Sequence, residues 1–312
     1  MEQKKKVFII IDGNAIIHRA YHALPPLTTK EGVPTGAVYG FFSMLLKIIQ
    51  DQKPDCLAVT FDRPKPTFRK ALFVGYQAHR PKMDDDLSGQ IQVVHEILHD
   101  ASMPIYEVDG FEADDVIGTI AQKVQSSKFK VQSSEIIIVS GDKDMLQLVN
   151  SHVKILAPVI GITKMVLYDE EKVKEKLGVE PSQVPDYKAI VGDPSDNYLG
   201  INGIGPKTAI SLIEKYGGVE QIYQNIGKIE KENPKLALKL AENQETAILG
   251  IKLATIVCDV PLSFSFSECS CAKISRKNLK KAFEKYSIKS LIKRADEILP
   301  EGLDEEKQLG LL

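Results

Sequence analysis

Val7-Phe-Ile-Ile-Ile11 runs without interruption into Asp12-Gly13-Asn14. Two later stretches follow the same plan. Cys56-Leu-Ala-Val-Thr-Phe61 runs into Asp62, and Ile136-Ile-Ile-Val139 passes through Ser140-Gly141 into Asp142. Continuous apolar, β-branched runs of this length predict strands buried on both faces, which means a parallel sheet covered by helices. The helices are legible between them. Val38, Phe41, Phe42, Leu45, Leu46 and Ile49 recur at steps of three and four, and Val116, Ile117, Ile120, Ala121 and Val124 repeat the pattern behind Asp114 and Asp115, two acids suited to a helix N-terminus. An α/β fold is expected. In such sheets the functional crevice lies beyond the carboxyl ends of the strands, so Asp12, Asp62 and Asp142 are expected to converge there.

The chain has 312 residues, with 40 Lys+Arg against 42 Asp+Glu, four Cys and no Trp. That length suggests two domains and can bury a full core without disulfides or a structural metal. A charged fraction of 26% with ordinary Gly and Pro content argues against a disordered or fibrous chain. No apolar run approaches a membrane span. The basic start Met1-Glu-Gln-Lys-Lys-Lys6 is followed by too short an apolar stretch for a secretory signal. Cys56, Cys258, Cys269 and Cys271 show no C-x-x-C pairing, as expected of reduced thiols in a cytoplasmic protein.

Strand signals stop after about residue 175, and short helices alternate with Gly/Pro turns up to Ile298. The expected organisation is an α/β domain over 1–175, a helical domain over 176–298 and an acidic tail or linker over 299–312. Gly203-Ile204-Gly205-Pro206-Lys207-Thr208 reads as a glycine hairpin opening an amphipathic helix. Glycines permit close backbone approach, and the free N–H groups of a helix start attract an anion, so this is a helix-hairpin-helix grip for a phosphate backbone. Between Cys271 and Arg294 nine Lys/Arg face a single acid, Glu284. Alone this run could be a solvated helix face. Beside the hairpin it is expected to extend a DNA-binding surface.

The remaining acids sit at element ends. Glu112-Ala-Asp114-Asp115 follows a turn at Asp109-Gly110, Asp142-Lys-Asp144 ends a strand, and Asp193-Pro-Ser-Asp196 precedes the glycine hairpin. With Asp12 and Asp62 they make nine carboxylates, which would repel one another and raise several pKa values unless divalent cations balance them. Oxygen-only ligands favour Mg2+ or Mn2+ over zinc. Any single Asp pair is ordinarily a cap or turn; nine acids, three of them closing apolar strands, are not. A phosphatase of the haloacid type would need D-x-D after the first strand, where Asp12-Gly13-Asn14 stands.

The series Asp12-Gly-Asn14, Arg19-Ala-Tyr-His22, Phe61-Asp62, Phe68-Arg69, Tyr76, His79-Arg80-Pro81, Glu112-Ala-Asp-Asp115, Gly141-Asp-Lys-Asp144, Gly192-Asp193, Ser195-Asp-Asn197 and Gly203-Ile-Gly205 resembles the 5′-nuclease domain of bacterial DNA polymerase I, of the flap endonuclease family. The resemblance runs in order from about Val7 to Arg294. It implies a PIN-like nuclease core, a helical arch over roughly Pro64 to Gln90, and a metal-dependent 5′-3′ exonuclease and 5′-flap endonuclease that also removes RNA primers during replication and repair. It implies a monomer working on 5′ flaps, 5′ ends and RNA–DNA junctions, with a polymerase in cis or in trans, the chain being either free-standing or an excised N-terminal part.

By position, Asp12, Asp62, Glu112 and Asp114 would hold a first ion, and Asp115, Asp142, Asp144, Asp193 and Asp196 the second ion or its surroundings. Arg19 and Arg80 would hold the scissile or a flanking phosphate, and Tyr76 would stack on a base. Lys188 and Lys207 would contact the duplex, with Gly203, Gly205 and Thr208 completing the hairpin grip. The family's hairpin also takes a K+ ion on main-chain oxygens, expected here too. One position departs: the family's Tyr-Lys-x-x-Arg is Tyr76-Gln77-Ala-His-Arg80. Gln77 brings no charge, although Lys82 or Lys70 could substitute. The alternative is therefore a structure-specific DNA-binding protein with impaired chemistry. A related PIN-type ribonuclease is disfavoured by the glycine-hairpin domain.

Overall fold

Strand β1 (Lys6–Asp12) leads into helices α1 (Gly13–Ala23) and α2 (Gly36–Gln52), followed by β2 (Cys56–Thr60), α3 (Phe68–Leu72), α4 (Asp85–Asp100), β3 (Ile105–Tyr106), α5 (Ala113–Gln125) and β4 (Ser134–Val139). With β5 (Val153–Ile160) and β6 (Lys164–Tyr168) these strands form one sheet of order β3-β2-β1-β4-β5-β6, parallel except for β6. The computed structural model describes residues 6–126 and 134–299; the acidic tail Glu301–Leu312 and the basic start before Lys6 lie outside the described residues.

The buried runs divide between two faces, as a period of two requires. Phe8 and Ile10 of β1, Cys56 and Ala58 of β2, and Ile136 and Ile138 of β4 join a core under α5. Ile9, Ile11, Leu57, Val59, Ile137 and Val139 join a core under α2 and α4. No single-faced reading fits a strand that is apolar at every position, and this sheet is covered on both sides.

The helical part comprises α6 (Glu170–Leu177), α7 (Val184–Val191), a minimal hairpin of β7 (Gly192–Asp193) and β8 (Tyr198–Leu199), then α8 (Pro206–Tyr216), α9 (Val219–Gln224), α10 (Ile226–Glu232), α11 (Pro234–Glu242) and α12 (Gln244–Ala254). Val184, Ala189 and Ile190 of α7 and Leu212 and Ile213 of α8 share the core that contains α5, so the helical part grows out of one face of the sheet.

Two expectations change here. The basic run forms α13 (Arg276–Lys285) and α14 (Ser290–Ile298), which return to the opposite face. Leu279, Phe283, Leu291 and Ala295 pack into the core of α2 and α4. Much of the positive charge is met locally: Arg276 and Lys280 pair with Asp296, Lys285 with Glu96 and Lys293 with Glu297. The +8 balance of the run omits these partners because they lie outside it. The segment expected to arch over the crevice contains only the short α3 and a series of turns before α4, whose Leu87, Val94, Ile97 and Leu98 are core residues. Gln90 is buried and its Oε1 accepts from the Ala37 amide at 2.7 Å, closing the start of α2.

The ring of Phe283 meets that of Phe42 edge-on, with centroids 5.4 Å apart, and is fully buried. Phe283→Ala should destabilise the α/β part by about 3–5 kcal/mol, read as a lower urea midpoint. A midpoint within error of the parent would show that α13 is dispensable to this core.

Candidate metal centre

Asp12 ends β1 and caps α1. Its Oδ1 accepts from the Ala15 amide at 2.9 Å and its Oδ2 from Ser140 Oγ at 2.7 Å. Ser140 follows β4, so this bond spans the place where strand order reverses from β1-β2-β3 to β4-β5-β6, where a ligand crevice is expected. Gly13 lets β1 leave the sheet tightly: a Cβ there would lie 2.4 Å from the Phe61 ring and 2.7 Å from the Thr60 carbonyl oxygen. Asp62, just beyond β2, accepts from Asn14 Nδ2 at 2.6 Å and from the Ala113 amide at 2.7 Å. The second bond ties it to the first turn of α5, where Glu112 and Asp114 stand.

A second group of acids comes from beyond β4 and from the β7–β8 hairpin. Asp144, Asp193 and Asp196 each offer an oxygen within 4.8 Å of the others. The hairpin is tight because Gly192 has φ +83° and Gly200 approaches the Ile190 carbonyl too closely for any Cβ. Lys188, on α7, places its ammonium between Asp144 and Asp193. The Tyr198 hydroxyl, buried nearby, has no hydrogen-bond partner among the described residues, and all three carboxylates bear on it electrostatically, after burial, in raising its pKa.

The turn after α3 lies directly on these acids. Tyr76 is 2% exposed, and its hydroxyl donates towards Glu112 and Asp196, each at 3.2 Å. Gln77 donates to Asp196 through Nε2 at 3.2 Å and through its backbone amide at 2.9 Å to the Asp196 carbonyl. Arg80 Nη2 reaches Asp196 Oδ1 at 2.8 Å. Arg69, at the base of the turn, is buried and forms a bidentate pair with Asp115 at 2.7 and 2.8 Å. Its remaining donors meet Glu112 and the carbonyls of Leu253 and Thr255.

Burial and mutual repulsion set the electrostatics. Burial lifts Asp12 to about 7, against the hydrogen bonds from Ala15 and Ser140 and with repulsion from Asp62 and Asp142. Burial likewise raises Glu112 to about 7, opposed by Arg69 and reinforced by Asp115, Asp62 and Asp196. Asp144 reaches about 7 through burial and Asp142, with Lys188 pulling the other way. Asp114 stands well above the carboxylate range, through burial and then Asp142, Asp12, Asp62 and Glu112. Asp193 shows the opposite balance: burial alone would raise it, but Lys188 and Ser195 hold it below its ordinary value.

The nine acids thus occupy one crevice with unequal freedom. Asp115, expected near the second ion, has its oxygens taken by Arg69 and by the amides of Glu112 and Val257. Asp142 accepts from the Asp144 amide at 2.8 Å and orders that loop. Lys188, expected on the duplex, is inside the acid cluster. Tyr76 has no exposed face for a base. Arg19 turns from the acids and donates to the Gly161 carbonyl at 3.0 Å. Gly203, Gly205, Lys207 and Thr208 stay apart on an exposed hairpin, anchored by buried Ile204, with Lys239 Nζ on the Gly203 carbonyl at 3.0 Å. Ser140, Asn14 and Arg69 escaped functional assignment. Asn14 and Arg69 stand in the quoted segments Asp12-Gly-Asn14 and Phe68-Arg69, but nothing local in the sequence marks their partners.

The donor set fits divalent cations: carboxylate oxygens only, several close together, several carrying the raised pKa of under-neutralised charge, and an orphaned hydroxyl in the wall.

A mostly parallel sheet with acids beyond its strand ends, joined to a helical hairpin domain, defines a class of metal-using nucleases. Residues 7–178 match the family described as 5′-3′ exonuclease, N-terminal resolvase-like domain, and residues 179–277 the 5′-3′ exonuclease C-terminal SAM fold. The chain belongs to the 5′-3′ exonuclease family. It is 40% identical to a 5′-3′ exonuclease of Aquifex aeolicus, over 94% of this chain and 96% of that protein. It is 43% identical to a DNA polymerase I of Caldicellulosiruptor bescii over 92% of this chain, but spans only 33% of that protein. Its fold is shared with T5 5′-exonuclease carrying divalent zinc ions, at TM-score 0.65, 20% identity and coverage of 91% and 99% of the two chains. It is also shared with the catalytic core of Rad2 in complex with DNA substrate, at TM-score 0.59, 17% identity and coverage of 95% and 92%. Nothing among these relatives supports a binding protein disabled by Gln77, whose contacts in the crevice are themselves well satisfied.

The folded values near 7 for Asp12, Glu112 and Asp144 lie above the ~4 of an unfolded chain. The stability these groups contribute is therefore fully present below about pH 4 and lost as pH rises through about 7. In EDTA the melting temperature should fall between about pH 5 and pH 8. Mg2+ or Mn2+ should flatten or reverse that fall, since ions bind the deprotonated acids. A fluorimetric melting grid reads both, and an EDTA curve that climbs to pH 8 would contradict the assigned shifts.

Proposed function

We propose that this chain hydrolyses phosphodiester bonds at 5′ ends and 5′ flaps of DNA, and in RNA primers, using two Mg2+ or Mn2+ ions. The observation that carries this reading is the concentration of under-neutralised carboxylates at the carboxyl edge of the sheet, beside a separate hairpin suited to a phosphate backbone. Asp12, Asp62, Glu112 and Asp114 would hold one ion, and Asp144, Asp193 and Asp196 the other. Asp142 and Asp115 shape the loop and helix start that carry these ligands. When bound, the ions supply the charge that makes a water nucleophilic near neutral pH and balances the phosphodiester in its transition state.

The chain's own groups do the rest. Ser140, Asn14 and the Ala113 amide fix the orientation of Asp12 and Asp62. Arg80, half exposed and, among the described residues, held by the Asp196 carboxylate, is free to exchange that carboxylate for a phosphate. The start of α8 presents unpaired amides and Lys207 to the duplex strand, away from the chemistry. This division separates grip from cleavage.

A 5′-flap oligonucleotide tests the reading. Cleavage should require Mg2+ and stop in EDTA. Asp114→Asn should lose at least about 10²-fold in rate, the scale of removing one electrostatic stabiliser, while flap binding in Ca2+ persists. Cleavage in EDTA, or a variant retaining more than about a tenth of the rate, would sink it. Lys207→Ala should leave single-turnover cleavage of bound substrate intact and weaken binding to flap and duplex alike. The log–log salt slope should become about one unit shallower; an unchanged slope would remove α8 from the interface.

A further inference from the structure

Resting on the two-ion reading, we propose that Lys188 is a built-in counter-ion of the Asp144–Asp193–Asp196 group, which yields its place to the second divalent ion and so sets how tightly that ion is held. Lys188 is a positioning residue on this view rather than a substrate contact.

The geometry restricts where its charge can act. The side chain is 15% exposed, and its ammonium bonds both Asp144 and Asp193. Helix α7 ends at Val191 and is capped by Gly192, whose amide bonds the Lys188 carbonyl, and the chain passes at once into Asp193. Lys188 and one of its acids therefore belong to a single stiff turn. An ammonium reaching two carboxylates from separate elements marks a point where a cation is favoured. That point lies among the same three carboxylates that could ligate a metal.

A divalent ion needs those oxygens at about 2.0–2.6 Å, and two cations so close would repel strongly in a partly buried site. Occupation by one excludes the other. Arg80 does not duplicate the role: it reaches Asp196 from the solvent side and is 52% exposed. Lys188 thereby neutralises the group when the second ion is absent, and its displacement is a cost charged against that ion's affinity.

Calorimetric titration of the full chain with Ca2+, without nucleic acid, separates this inference from the reading beneath it. Wild type should bind two ions, and Asp196→Asn one. If wild type binds only one, the two-ion reading fails and takes this inference with it. Lys188→Gln should bind two, the second on the order of tenfold more tightly, the scale on which groups around a metal site act. Lys188→Arg, which keeps the charge, should resemble wild type. In EDTA Lys188→Gln should melt below wild type, and saturating Ca2+ should close that gap. Should Lys188→Gln be unfolded in EDTA, recovery of the fold by Ca2+ supports the exchange, and failure to recover overturns it. An unchanged or weakened second affinity, or an equal melting deficit with and without Ca2+, also overturns it and leaves Lys188 a structural or strand-binding lysine.

Discussion

Like charges cannot be gathered in a half-dry crevice without compensation, and most of this molecule's local design follows from that constraint. The chain applies three remedies. Arg69 neutralises Asp115 inside the protein with every guanidinium donor engaged. Lys188 and Arg80 bring positive charge to Asp144, Asp193 and Asp196. The starts of α1 and α5 turn their favourable dipole ends towards Asp12, Glu112 and Asp114. The remedies are unequal. Asp193, with a lysine and a serine, stays easily ionised, whereas Asp12, Glu112, Asp114 and Asp144 are pushed towards protonation. Such unevenness distinguishes acids that organise the crevice from acids with unspent capacity.

The turn carrying Tyr76, Gln77 and Arg80 belongs to the same economy of charge. All three reach Asp196, and Asn197 reaches back to the Gly75 carbonyl at 2.7 Å. Gln77 adopts φ +54°, a left-handed conformation uncommon for a residue with a side chain, and its amide is bonded to Asp196. A neutral residue suits that place. A lysine there would add charge beside Arg80, where the structure uses a hydrogen bond.

The sheet's centre was legible because β1, β2 and β4 are apolar at consecutive positions, a pattern with one economical explanation. Strands β3, β5 and β6 were not read. The first has two residues; β5 contains Pro158 at a register shift; β6 is a half-exposed edge without strong alternation. All nine acids could be singled out because each stands at the end of an element. Their division of labour was hidden, since the partners of Asp115 and Asp193 lie far away in sequence or on a helix facing inward. The packing of α13 and α14 was hidden for a similar reason: a basic run shows its own charge but not Asp296 or Glu96, which answer part of it. The hairpin at Gly203 was readable because glycine, proline and lysine there act through backbone geometry within a few residues.

The return of α13 and α14 to the first layer has a consequence for biosynthesis. The ring of Phe42 packs edge-on against Phe283, 241 residues further along the chain, and Arg294 closes on Ser43, with Nη1 2.8 Å from its hydroxyl. A chain emerging from the ribosome releases every acid of the crevice, up to Asp196, well before the helices that seal the α2 face of the sheet. Contacts of such long sequence separation form late. The nascent sheet must wait with one apolar flank uncovered, in need of shelter from aggregation, and the crevice gains its rigid floor only once nearly the whole described chain has been made.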